Sequence, residues 1–155
     1  EAEIGHVAGH EGNTNDGNTA DETAYTRLED AVSFYEQTGV DALAVAVGTV
    51  HGIYKGKPKL NFELLSAIRE KIPVPLVLHG GSGLEPQNYR DAIANGICKV
   101  NFYTYMSLAG ANAAREYLNA NKVADFGEAI EAGAAAAKAV VKEHLEIFGT
   151  QPLTK

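Results

Sequence analysis

The sequence predicts an α/β protein whose parallel sheet is built from four strand–helix units laid end to end. Three observations carry this. Residues 40–48, 74–78 and 97–102 are short runs rich in apolar residues, the first two apolar on both faces, as in strands covered by helices on both sides. Each run ends in a loop that carries Gly, His or Asn, and a stretch with helical periodicity follows it. The order strand, loop, helix then recurs along the chain. Its spacing matches a (β/α)8 barrel, which needs eight strands and about 250 residues. With 155 residues the chain holds half of one. A flavodoxin-like open sheet, normally of about five strands, is the competing architecture.

Residues 1–5, Glu-Ala-Glu-Ile-Gly, alternate charged with small or apolar positions, as in a short strand that ends at a loop. Residues 6–25 hold His6, His10, Glu11 and many Gly, Asn and Thr, without periodicity. So long a loop is expected to be a functional lid or disordered, and a mobile active-site loop is the expectation here. Thr26-Arg-Leu-Glu29 fits a capping box at a helix start, and Gly39 fits its end. The strand over 40–48 leads into the loop Thr49-Val-His-Gly-Ile-Tyr-Lys-Gly56. Asn61 is placed to cap a helix running to about Lys71, with Leu64, Leu65 and Ile68 inward. After the strand over 74–78, residues 86–95 make a short helix closed by Gly96, and 97–102 the fourth strand. Residues 105–148 read as Ala-rich C-terminal helices with a break near 119–121, and 128–148 as one helix ending at Gly149.

Composition is that of an ordinary globular domain, 45% hydrophobic and 21% charged. A net charge of −7 without a basic stripe argues against a nucleic-acid partner. No apolar run is long enough to span a bilayer and no signal-peptide pattern is present, so no membrane partner and a cytoplasmic location are expected. The single cysteine, Cys98, has no internal partner and is expected as a small core residue of the last strand. The chain opens on Glu in what reads as the middle of an element, which points to a fragment. A half barrel leaves two open parallel edges, unfavourable in water, so the missing half is expected elsewhere and a homo-oligomer, dimer or tetramer, is plausible on the same ground.

In α/β folds the chemistry gathers beyond the carboxyl ends of the strands. Those mouths bear Glu3; His51 and Gly52; His79 to Gly83; and Asn101 with Thr104. Two histidines on adjacent mouths can share one centre, and imidazole suits zinc, whose catalytic sites take three protein ligands and an open position. A carboxylate or a residue from outside the chain would be the third. A lone strand-end histidine is more often structural, but each of these two is followed by glycine on consecutive mouths. Bare N–H groups in Gly80-Gly-Ser82, the hydroxyls of Ser82 and Thr104, and Lys55 could hold a phosphate, although Gly-Gly-Ser-Gly is also simply a tight turn.

Ala46-Val-Gly-Thr-Val-His-Gly-Ile-Tyr-Lys-Gly56, Leu76-Val-Leu-His-Gly-Gly-Ser-Gly83 and Gly96-Ile-Cys-Lys-Val-Asn-Phe-Tyr-Thr104 strongly resemble the class II, zinc-dependent ketose-bisphosphate aldolases. The resemblance runs along nearly the whole chain and is weakest in the last helices. It implies a (β/α)8 barrel of which residues 1–155 are the C-terminal half, strands five to eight. It implies reversible cleavage of a fructose or tagatose 1,6-bisphosphate to dihydroxyacetone phosphate and glyceraldehyde 3-phosphate, with zinc polarising the substrate and stabilising the enediolate. By position, His51 and His79 match zinc ligands and Glu3 an alternative ligand near the metal. Gly52, Gly80, Ser82 and Thr104 match phosphate-holding residues, with Lys55 beside them; Asn101 matches the residue at the substrate's reacting end. Glu11 matches a mobile-loop glutamate of proton transfer. A monovalent cation is a second implied cofactor.

The chain also departs from the family pattern. One carboxylate of the acidic pair is missing from Gly9-His-Glu-Gly12, and Tyr103 stands where Asp or Ala is common. The third zinc histidine and the catalytic aspartate belong to a first half that this sequence lacks, so the chain alone is expected to be inactive. Two rival readings are a Schiff-base aldolase or isomerase using Lys99 as its amine, and a non-catalytic sugar-phosphate-binding subunit.

Overall fold

The computed structural model describes residues 1–9 and 22–152, which fall into two compact units, Glu1–Phe102 and Tyr103–Lys155. In the first, β1 (Ala2–Ile4), β2 (Leu43–Val45), β3 (Leu76–Leu78) and β4 (Ile97–Val100) form one sheet in the order β1-β2-β3-β4. Every pairing is parallel, with Leu43 opposite Ala2 and Leu76, and Ile97 opposite Leu76. Three helices make the crossovers: α1 (Leu28–Thr38), α2 (Phe62–Lys71) and α3 (Pro86–Ala94). The expected four units and their order are therefore present. The paired strands are shorter than the apolar runs, because pairing stops while Ala46 and Val47 continue as covered chain.

Leu43, Val45, Leu76 and Leu78 fill the core with Leu65 and Ile68 from α2 and Tyr89 from α3, all of them essentially inaccessible. Leu64 is only half-buried. Asn61 caps α2 as expected, its side chain accepting from the Leu64 N–H. Gly39 closes α1 in the left-handed conformation, its N–H donating to the Tyr35 carbonyl.

Two expectations are corrected. Thr26 does not cap α1, which begins at Leu28 after Arg27 and has no side-chain cap. Its hydroxyl donates to the Ile4 carbonyl at 2.9 Å and accepts from the Ala46 N–H at 2.8 Å, while its own N–H donates to the Ala46 carbonyl. The residue is a strut between the ends of β1 and β2, and satisfying two strand-end groups outweighs one helix cap. Thr26→Val keeps the shape and orphans both groups, so a loss of about 2–3 kcal/mol is expected, read as a lowered urea midpoint at unchanged slope. Cys98 is exposed rather than buried, because β4 is an edge of the four-stranded sheet and only Ile97 of the strand reaches the core.

Two parts of the stretch 6–25 lie among the described residues. Ala8 pairs with Val50 in an isolated parallel bridge, and Glu22–Ala24 form a 3-10 turn.

The second unit is a hairpin of α4 (Thr104–Ala120) and α5 (Phe126–Ile147). The helices touch where Gly110 meets Gly133, and a Cβ on either would come within 3.0–3.1 Å of the other's carbonyl oxygen. Asp125 caps α5, accepting from the Gly127 and Glu128 N–H groups, so this helix starts two residues before the predicted position.

Candidate active site

Strand alternation puts Glu1 and Glu3 on one face of β1, and the ends of the next two units bring histidines toward them. Beyond β2 the chain crosses Gly48 and Thr49 to Val50, whose bridge to Ala8 is sealed by the His51 N–H donating to the Ala8 carbonyl at 2.8 Å. His79 follows β3 directly. The two rings stand 6.2 Å apart between centroids and tilted by 56°. One donor atom each from Glu3, His51 and His79 lie within 4.8 Å of one another. His79 Nδ1 contacts Glu3 Oε2, and its Nε2 lies 3.1 Å from Glu1 Oε1.

Two imidazole nitrogens and a carboxylate oxygen converging this closely are a donor set that zinc accepts. Among the described residues it is the cluster of this kind that the fold assembles.

Lys99, on β4, completes the network. Its ammonium donates to Glu1 Oε2 at 2.7 Å and to Asn101 Oδ1 at 2.8 Å. The Lys99 hydrogen bond, and after it the one from His79, hold the Glu1 carboxyl below its ordinary pKa. Because an ammonium only donates, it fixes the Asn101 amide with its oxygen toward Lys99 and leaves the NH2 to donate elsewhere. The Asn101 N–H is anchored on the Leu78 carbonyl at 2.9 Å.

The glycine loop after His79 is tightly seated. Gly80 has φ +65°, and a Cβ there would lie 2.6 Å from the Val50 carbonyl oxygen. The buried Tyr89 hydroxyl donates to the Gly81 carbonyl, and Ser82 is 5% exposed. Gly52 is buried with φ +84°, and Lys55 is exposed. Thr104 belongs to the second unit, as the buried first residue of α4. Glu11 lies outside the described residues. Of the expected site residues, then, Glu3, His51 and His79 meet, with Asn101 tied to them through Lys99 and Glu1.

The family model for class-II fructose-bisphosphate aldolase matches residues 1–152. The chain belongs to that family. It is 39% identical over 152 residues to the D-tagatose-1,6-bisphosphate aldolase subunit GatY of Klebsiella oxytoca, a match that takes in 97% of this chain and 53% of that protein. Among solved structures, the YdjI aldolase of Escherichia coli K12 superposes with a TM-score of 0.74 at 38% identity, over 83% of this chain and 47% of that one. A putative fructose-1,6-biphosphate aldolase from Coccidioides immitis gives a TM-score of 0.78 at 26% identity, over 95% and 50% respectively. The chain spans about half the length of the aldolases it matches. Its four units are accordingly a half-barrel of the aldolase fold.

Sequence reasoning overlooked Glu1, Tyr54 and Tyr89. Glu1 was legible, since a residue two before Glu3 on a strand shares its face. Tyr54 and Tyr89 carry no signal of their own, because each acts through a hydroxyl whose carbonyl partner is distant in sequence.

Proposed function

We propose that residues 1–155 supply the C-terminal half of a metal-dependent aldolase site that reversibly cleaves a ketose 1,6-bisphosphate to dihydroxyacetone phosphate and glyceraldehyde 3-phosphate. The observation that carries this reading is the convergence of Glu3, His51 and His79 beside the glycine loop of Gly80 to Gly83. His51 and His79 would hold zinc, with Glu3 as an alternative ligand and the remaining ligand coming from the complementary half. Zinc bound there supplies a Lewis acid toward the substrate's oxygens, lowering the cost of the negative charge that develops on cleavage.

The chain's own residues do the rest. Gly52, Gly80 and Ser82, with the exposed Lys55, grip the phosphate, and this grip on the non-reacting end positions the reacting carbons; Thr104 is proposed for the same role from its place in the family pattern alone. The NH2 of Asn101, held by Lys99, donates to an oxygen at the reacting end. Glu11 moves a proton from the loop over 6–25. A monovalent cation, a homo-oligomeric assembly and a cytoplasmic location complete the proposal. No described helix is long and apolar enough to cross a membrane.

A Schiff-base route needs a free amine lone pair at Lys99. The ammonium is instead held by Glu1 and Asn101, which disfavours that route. The test is cleavage of fructose and tagatose 1,6-bisphosphates by the protein together with its complementary half. Chelation is expected to abolish turnover and zinc to restore it, while borohydride with substrate leaves no adduct on Lys99. The chain without that half is expected to be inactive. Turnover that survives chelation, with a trapped imine at Lys99, would sink the reading.

A further inference from the structure

His51 is tied to Ala8 on one side, but the β2–β3 ladder does not join its loop to that of His79. The β2–β3 ladder ends at the pair Ala44 and Val77, several residues before His51 and two before His79. Beyond that point the two chains run side by side without a backbone hydrogen bond between Val50 and Gly80. Tyr54 fills the interval. Its hydroxyl accepts from the Val50 N–H at 3.2 Å and donates to the Gly80 carbonyl at 2.7 Å. A hydroxyl can do both at once, so this one group replaces a missing rung of the parallel ladder. It acts on the residue immediately before His51 and on the residue immediately after His79. Gly80 presses against the Val50 backbone on the same side, and Val50 is wholly buried, so no water can take over the N–H cheaply.

From this geometry we infer that Tyr54 is a positioning residue for the metal centre, setting the distance between His51 and His79 through its hydroxyl. The inference rests on the metal reading above and goes beyond it, since the Tyr54 hydroxyl bonds backbone groups next to the two histidines. Its ring stays in Tyr54→Phe, and the rung is lost. Groups that orient metal ligands from behind typically contribute ~10–100-fold to metal affinity, and a loss of that size is expected.

The experiment is zinc titration against a competing chelator, together with the cobalt(II) absorption spectrum, in the wild-type protein and three variants, each assembled with its complementary half. Tyr54→Phe should weaken zinc by ~10–100-fold and shift the cobalt bands. Tyr25→Phe removes a hydroxyl–carbonyl bond of like length, to the Lys59 carbonyl at 2.8 Å, and should leave both readings unchanged. His79→Ala should lose the metal. Unchanged zinc affinity in Tyr54→Phe beside its loss in His79→Ala overturns this proposal alone, as does an equal loss in Tyr25→Phe. A wild type that takes up no zinc, or a His79→Ala variant that keeps it, overturns the metal reading and this inference with it.

Discussion

His79→Ala is expected to remove zinc binding and aldol cleavage together, with a loss of metal affinity well beyond the ~10–100-fold that supporting residues contribute. His79 is placed between Glu1 and Glu3. Taking it away deletes a nitrogen donor and also leaves two carboxylates facing each other without the group between them. Lys99 remains bonded to Glu1. The variant should fold, because His79 makes its described contacts at the sheet's mouth and not in the core. Zinc stoichiometry by elemental analysis and the melting temperature check the two halves of this expectation. His6→Ala is the matching control, since His6 is exposed and lies outside the donor cluster. Equal metal loss in both variants would mean that the effect is unspecific.

Gly80→Ala is expected to cost about 3 kcal/mol of stability and to weaken zinc binding at the same time. Two penalties coincide there. An L-residue at φ +65° sits in the left-handed region, at roughly 1–2 kcal/mol. The new Cβ would also fall 2.6 Å from the Val50 oxygen and 2.7 Å from its carbonyl carbon, and backbone cannot swing aside as a side chain does. The loops must part, which moves His51 away from His79. Gly39→Ala separates the two effects: at φ +62° with open space around the Cβ, it should cost only about 1–2 kcal/mol and leave zinc affinity intact. Urea unfolding and zinc titration of the pair give the comparison, and equal costs would mean that the close approach to Val50 carries no energy.

Much of the fold was readable because parallel strands buried on both faces leave a plain trace. The runs ending at Leu78 and near Val47 have no polar alternation to confuse them, and Gly39 and Asn61 mark helix ends by local chemistry alone. Thr26 was misread because a Thr three residues before a Glu satisfies a local rule, whereas the groups that claimed its hydroxyl, on Ile4 and Ala46, are some twenty residues away. Cys98 was misread because its strand neighbours are apolar, while its exposure depends on β4 lying at an edge. In the site, His51 and His79 were legible from their place after apolar runs. What they are held by was not, since Glu1, Lys99 and Tyr54 act across gaps of 26 to 98 residues.

The bond between Lys99 and Glu1 bears on how the chain folds. β1 and β4 are three places apart in the sheet, about 14 Å if it lay flat. The ion pair of 2.7 Å between Glu1 and Lys99 spans that distance through two long side chains and needs all four strands in place. Every strand pairs with its neighbour in sequence, so earlier steps need only short loops to close, and this contact must come last. The donor atoms of Glu3, His51 and His79 come from β1 and from the ends of β2 and β3, so the cluster does not wait for that contact. Metal affinity at these donors is therefore expected to appear once β3 has joined the sheet, with the Lys99–Glu1 contact closing behind it.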